Sequence, residues 1–426
     1  MMSPGGGAAE PLPRVKGRED LRLLARLLTG VAPGPDLDWG AMAGLAQRHK
    51  VAPLLFWRLS LGRKRWGLET RVPVDVWDRL QEDFYAAAGR ALLAEWQLAE
   101  VLRAMAAAGV PAIVIKGAAI AAFYPDPALR SYSDLDILVP EAQLDVAETA
   151  LNELGYRCFR WKDWWLAHFH HLPTMVSDDG RFAVELHWRV DHEEALGRLP
   201  AEDLWARAVP WTVSGQPALR LETVDTALHL CRHAAVQHRA KQGLGPLCDL
   251  AQVTTGWNLG EWEMMVQRAA DYGLTRPVYL MLRLAEEAGV LAVPREVMSR
   301  LWPPGSRPLS PELARSFLHA GDGQAVAVPI AVVQAGAKGT AVARLRHMLW
   351  HLLLPRAGMA AIYDIPADSP RIWLAYLRRP VDLLRRYGGS VWGVLCGARA
   401  TRIAWQREAW LERWLTAGDQ QDHDAA

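Results

Sequence analysis

The sequence predicts an α+β protein in which a small mixed β-sheet is embedded between an N-terminal and a C-terminal helical region. Three observations carry this. Runs of strand length, either apolar or alternating, are confined to about residues 109–215. On both sides of them, apolar residues recur at helical spacing. One of the apolar runs, Leu135-Asp136-Ile137-Leu138-Val139, is opened by a pair of carboxylates at i, i+2, Asp134 and Asp136.

Taken in order, residues 1–17 are rich in Gly and Pro and are expected to be disordered. Residues 18–108 form the N-terminal helical region, with Leu21, Leu24, Leu27 and Leu28 as its first apolar stripe. Asp36-Leu37-Asp38 has the same carboxylate spacing but follows Pro33-Gly34-Pro35 and precedes a helical pattern, so helix capping is its expected role. The core, residues 109–215, begins with the strand Ala112 to Ile115, which ends at Lys116-Gly117 before a small-residue helix, about Ala118 to Phe123. The Asp134 strand follows. Glu141 to Leu154 reads as a helix with Leu144, Ala147, Leu151 and Leu154 inward and Gly155 at its stop. Tyr156 to Arg160 is a strand. Leu172 to Ser177 and Phe182 to Val190 flank Asp178-Asp179-Gly180-Arg181, a hairpin signal through its Asp-Gly step. The core therefore reads β-α-β-α-β-β-β. Beyond it, residues 216–305 form a helical domain packed on the core and residues 306–417 a C-terminal helical region. Ser310-Pro311 and Ser369-Pro370 mark helix starts there. The polar tail, 418–426, is expected to be disordered.

Composition limits the partners. A chain of 426 residues with 51% hydrophobic and 22% charged residues has ample core. A net charge of +1 leaves no electrostatic footprint for long nucleic acid. The four cysteines lack CxxC spacing and read as reduced thiols of a cytoplasmic protein. The N-terminus lacks the apolar core of a signal peptide. No run approaches the ~18 apolar residues of a membrane span, so no membrane partner is expected. Ala325 to Ala335 reads instead as a buried helical segment. Twenty tryptophans against seven phenylalanines are read as core anchors.

The chemistry lies in the core. Side chains alternate along a strand, so Asp134 and Asp136 share one side while Leu135 and Ile137 point into the core. Adjacent acids repel, and burial raises the cost of ionising both. A divalent cation resolves that conflict, and hard oxygens suit Mg²⁺, with Mn²⁺ as a substitute. Gly117 permits a tight turn and close approach of a phosphate. The following helix start offers free N–H groups, and Lys116 adds a point charge. Glu185, His187 and Arg189 alternate along a further strand and share a face. Glu185 supplies the third acid that a metal-plus-base or two-metal site needs. His187 is placed to orient that acid or contact substrate. Arg130 and Ser133 flank the carboxylate pair, Arg130 suiting either a phosphate or a structural ion pair.

Other candidates are weaker. His168, His170 and His171 have no second ligand group at defined spacing and are not read as a zinc site. His229 and His233 lie at i, i+4 on a helix, with Asp249 on the next. They read first as buried, hydrogen-bonded histidines. Arg378, Arg379, Arg385 and Arg386 read as a solvated helix face.

Val114-Ile115-Lys116-Gly117, Tyr124-Pro125-Asp126-Pro127, Arg130 through Val139 and Glu185-Leu186-His187-Trp188 together resemble the uncharacterised bacterial nucleotidyltransferases of the DNA polymerase β-like superfamily. The resemblance covers about residues 85–215 in the core. It extends more weakly through Trp39 to Leu54 and from Leu354 to Arg379. Lys116-Gly117 stands where the wider superfamily has Gly-Ser or Gly-Gly, and Glu185 where aspartate is commoner. The resemblance implies Mg²⁺-dependent transfer of a nucleoside monophosphate from an NTP to a hydroxyl of a small molecule, peptide or protein. In that scheme Asp134, Asp136 and Glu185 are catalytic and metal-binding, and Lys116, Gly117, Arg130, Ser133 and His187 contact the nucleotide. Two alternatives stand beside it. One is a non-catalytic nucleotide-binding or antitoxin-like module. The other is a DxD glycosyltransferase, disfavoured because the helical residues 18–108 supply no Rossmann-like region before the motif.

Overall fold

The computed structural model describes residues 20–158, 165–166, 169–191, 197–303, 309–322, 328–337, 340–363, 365–366, 368–396 and 398–416. The expected disordered ends and His168 lie outside them.

Helices α1 (Asp20–Leu28), α2 (Trp39–Arg48) and α3 (Ala52–Gly62) precede α4 (Val74–Ala107), which spans 34 residues. The stripe Leu21, Leu24, Leu27 and Leu28 is buried. Asp38 caps α2, its carboxylate accepting from the Ala41 N–H at 2.9 Å. The carboxylate pair at 36 and 38 is thus a helix start, as its context predicts.

The core is a seven-stranded mixed sheet in the order β3-β4-β5-β2-β1-β7-β6. Its strands are β1 (Ile113–Val114), β2 (Asp134–Leu138), β3 (Tyr156–Cys158), β4 (Met175–Ser177), β5 (Ala183–His187), β6 (Val209–Val213) and β7 (Gln216–Arg220). The central pair, β2 and β5, runs parallel with Asp136 opposite Glu185, while β1 lies antiparallel to β2. A one-turn helix α5 (Ala118–Ala121) follows β1, shorter than its sequence suggests. Helix α6 (Leu144–Glu153) buries Leu144, Ala147 and Leu151, whereas Leu154 lies past its last turn and is exposed, contrary to expectation.

Strands β6 and β7 are additions to the five-strand reading, and the boundary drawn at 215/216 cuts their hairpin. Pro210 and Pro217 mask the strand pattern. Pro210 is tolerated because β6 is an edge strand, and Pro217 because it lies near the start of β7, where β1 does not yet pair. Ser214 and Gly215 both have positive φ (44° and 80°), the two-residue turn of a tight hairpin.

One sheet face carries Leu135, Ile137, Val184 and Leu186, packed with Leu98, Leu102 and Met105 of α4 and with α6. The other face carries Asp134, Asp136, Glu185 and His187. Across a cavity from Asp134 and Asp136 lie α8 (Thr223–Arg232), a π-helical turn at His233–Gln237, and α9 (Gly245–Val253), with α7 (Ala201–Arg207) preceding them in the chain. These join α10 (Leu259–Asp271), α11 (Thr275–Ala288) and α12 (Arg295–Leu301) in a second core shared with α1–α3. Ser310 caps α13 (Pro311–Leu318) as predicted. The C-terminal region adds α14 (Ile330–Ala337), α15 (Ala341–Leu352), α16 (Arg356–Tyr363), α17 (Ile372–Leu395) and α18 (Arg399–Thr416). Ser369-Pro370 forms a turn just before α17 rather than its first residues. In α14, Val333 is buried but Val332 is exposed, so that segment is only partly covered.

Candidate active site

Strand alternation places the acids. Because β2 and β5 are parallel and in register, Asp136 and Glu185 stand side by side, and Asp134 and His187 share their face. Asp136 is 2% exposed, as is His187. The His187 Nε2–H donates to Asp136 Oδ1 at 3.0 Å, and the same nitrogen lies 3.7 Å from Glu185 Oε2. Asp136, Glu185 and His187 each offer a ligand atom, all within 4.8 Å of one another, a grouping able to hold a metal ion. The metal-capable cluster thus includes His187, assigned from the sequence to nucleotide contact or orientation, alongside two of the three expected acids.

The electrostatics separate the acids. Burial opposes the charge of Asp136, but the Lys116 ammonium at 2.5 Å and the His187 hydrogen bond outweigh it and hold the carboxyl well below the usual range. Burial also opposes Glu185, yet the nearby His187 imidazole draws its pKa down. Asp134 moves the other way: burial, then the charge of Asp136, raises its pKa. Thr174 Oγ donates to Glu185 Oε1 at 3.0 Å and fixes that carboxylate. Thr174 immediately precedes β4, and nothing in its sequence context announces this contact.

Gly117 joins β1 to α5 with φ +52°, and a Cβ there would lie 3.1 Å from the Asp134 carbonyl oxygen. Both facts require glycine. Lys116, expected at a phosphate, is ion-paired to Asp136. Arg130 is held on both carboxylate oxygens of Asp249, at 3.1–3.2 Å, while Tyr124 donates to the same group at 2.8 Å. Arg130 also donates to the Gly117 carbonyl at 3.4 Å, tying the glycine turn to α9. Of its two readings, the ion pair is the one formed.

These groups edge a cavity of about 440 Å³ lined by Lys116, Gly117, Arg130, Ser133, Asp134 and Asp136 from the sheet domain. Arg48 and Lys50 enter from the N-terminal helices, and His233, His238, Lys241 and Asp249 from the opposite side. His233 and Asp249, singled out on adjacent helices, therefore meet at the cavity. Arg48, Lys50 and Lys241 were not expected, because only tertiary packing brings them here. His229 is buried as expected, but neither ring nitrogen has a hydrogen-bond partner among the described residues. Burial pushes its pKa and that of His233 well below the ordinary value. The His171 ring stands 5.0 Å from that of His187, so this histidine joins the site's surroundings.

Asp134 and Asp136 thus line a cavity that also carries several cationic side chains, while Glu185 and His187 stand beside them on β5 outside its lining. A family model described as "Uncharacterised nucleotidyltransferase" matches residues 35–288, more than half of the chain, and the protein belongs to that family. Neither the curated proteins nor the solved structures yield a match. The family match takes in α2 to α11, including the cavity residues from the N-terminal helices.

Proposed function

We propose that the protein is a divalent-metal-dependent nucleotidyltransferase of the polymerase β-like kind. It would transfer a nucleoside monophosphate from an NTP to an acceptor hydroxyl and release pyrophosphate. The observation that carries this reading is the register of β2 on β5, which sets Asp136 beside Glu185 with Asp134 on the same face. The donor set fits the group it would hold. Two carboxylates suit Mg²⁺, and the His187 imidazole makes Mn²⁺ equally acceptable.

Asp134, Asp136 and Glu185, with His187, are the residues that would hold the cation, which when bound supplies charge neutralisation on the phosphates. The low pKa of Glu185 suits a ligand better than a proton acceptor. The Thr174 hydroxyl, donating to Glu185 Oε1, holds that carboxylate in place for the role. Gly117 gives a phosphate close access to the backbone, and Ser133 offers a hydroxyl at the cavity wall. Lys116, Arg48 and Lys50 supply positive charge along the cavity, with Arg130 holding the glycine turn in place. Catalysis on this scheme is positioning and charge stabilisation, with in-line attack at the α-phosphorus.

One feature favours a second reading. Lys116 already neutralises Asp136, as it would in a module that binds nucleotide without turnover. The separating experiment incubates the chain with each α-labelled NTP and Mg²⁺ or Mn²⁺, then follows pyrophosphate and labelled acceptors in a cell-extract pool by mass analysis. Label transfer that disappears in Asp134→Asn/Asp136→Asn supports the enzyme. Calorimetric binding of metal–NTP with no product supports the module, and turnover retained in the double variant defeats the site assignment.

A further inference from the structure

The C-terminal helices carry apolar surface that the domain leaves uncovered. On α17, Trp373, Leu377, Val381, Leu384 and Trp392 follow at i, i+4, i+8, i+11 and i+19, which places them on one face. All five are exposed, Leu377 at 74%. Arg378 and Arg385 border this stripe, Arg379 and Arg386 lie farther round, and Asp382 is the only acid in the helix. That aspartate is engaged by Arg378 at 3.1 Å and by the Tyr363 hydroxyl at 3.1 Å; the Arg378 and Asp382 charges offset each other and leave Arg385 as the bordering cation that no acid of the helix pairs.

Helix α15 repeats the arrangement. Val342, Leu345 and Leu349 form an exposed apolar arc with Arg344 and Arg346 at its two edges. No acidic residue occurs from Lys338 to Tyr363. The whole chain nevertheless sums to +1, so basic charge is concentrated on these helices and offset elsewhere. No helix among the described residues is long and apolar enough to cross a membrane.

From this pairing of exposed apolar stripes with bordering arginines we infer that α15 and α17 dock on an anionic lipid surface, lying in its plane. Charge complementarity selects that occupant. Arginines at the edge of a stripe can bury their stems while their guanidinium groups reach phosphate, and the tryptophan indoles suit the headgroup layer. A second copy of this chain would bring the same arginines together and repel. The inference departs from the expectation of no membrane partner and is compatible with the solvated-face reading, since Arg378, Arg385 and Arg386 are exposed and Arg379 is half-buried. It does not depend on the nucleotidyl-transfer reading.

The test is co-flotation of the full chain with phosphatidylcholine vesicles and with vesicles also containing phosphatidylglycerol, while light scattering reports its oligomeric state. Binding at least tenfold stronger to the anionic vesicles is expected. Leu377→Glu/Leu384→Glu, both exposed positions, should abolish it with circular dichroism unchanged. Arg385→Gln, at the edge of the stripe, should weaken it by about fivefold, from the contribution of one basic residue near a charged surface, while Arg386→Gln, farther round the helix, should weaken it less. Absence of flotation, equal binding to neutral vesicles, or a dimer or protein complex that the Leu377→Glu/Leu384→Glu variant dissociates without any lipid binding would each overturn the inference.

Discussion

Replacing Asp136 by Asn should unfold the protein more readily, while the same change at Asp134 should not, although both should stop transfer. Asp136 is held by two partners in a nearly water-free setting: Lys116, whose side chain is 14% exposed, and His187 at 2%. Breaking a buried ion pair by removing one charge costs about 3–5 kcal/mol. The partial exposure of Lys116 places this case near the lower end, at about 3 kcal/mol. At roughly 2–4 °C per kcal/mol for a unit of about 150–250 residues, the melting point should fall by about 6–12 °C if the site unfolds in such a unit, and by less if the whole chain unfolds together. No ion pair among the described residues holds Asp134, and burial and the Asp136 charge already disfavour its ionised form. Asp134→Asn should therefore be neutral or slightly stabilising. The pH dependence carries a sign. A carboxyl whose folded pKa is depressed stabilises above its unfolded value, near 3.9, and loses that contribution as pH falls toward the folded pKa. The penalty of Asp136→Asn should thus be full at pH 7 and shrink below about pH 4. Thermal denaturation across that range, with label transfer measured on the same samples, reads all of this. An Asp136→Asn variant as stable as the parent at pH 7, or an Asp134→Asn variant equally damaged, would refute the reasoning.

Two further outcomes follow from the site. Gly117→Ala should cost on the order of 1–2 kcal/mol, because φ is +52° and the new Cβ would meet the Asp134 carbonyl oxygen at 3.1 Å. Transfer should fall by more than NTP binding does, as measured by kcat against calorimetric Kd. His229→Leu should be neutral or stabilising by about 1 kcal/mol, since both ring nitrogens lack partners among the described residues. The folded state holds His229 neutral while the unfolded chain takes up a proton below about pH 6.5. Its advantage over the parent should therefore grow as pH falls through that value. Denaturant titrations at pH 7.5 and 5.5 check both sign and size.

What was legible in the sequence was whatever strand period and backbone conformation dictate. The i, i+2 carboxylates, the glycine turn and Glu185 obey local rules, and parallel pairing of β2 with β5 then brought them together. Asp38 was separable from them by its helix-start context alone. The β6–β7 hairpin was hidden because its two prolines speak against strands, although Ser214-Gly215 was a turn signal worth weighing. Thr174 and the lining side chains Arg48, Lys50 and Lys241 reach the site only through packing of separate elements, and no spacing along the chain encodes that. His187 shows a finer limit. Its face followed from alternation, but its place among the metal-capable groups required the 3.0 Å contact with Asp136. The C-terminal arginines were visible as charge, whereas the exposure of the neighbouring leucines and tryptophans depends on which helices pack where and was not.

The most direct measurement is electron paramagnetic resonance of Mn²⁺ added with a non-hydrolysable NTP, with pulsed detection of nitrogen coupling. Asp136, Glu185 and His187 holding one ion predict a single bound Mn²⁺ carrying a histidine nitrogen signal. That signal should vanish in His187→Gln, and the ion itself should be lost in Asp136→Asn. Tight Mn²⁺ binding that survives Asp136→Asn unchanged would contradict the account.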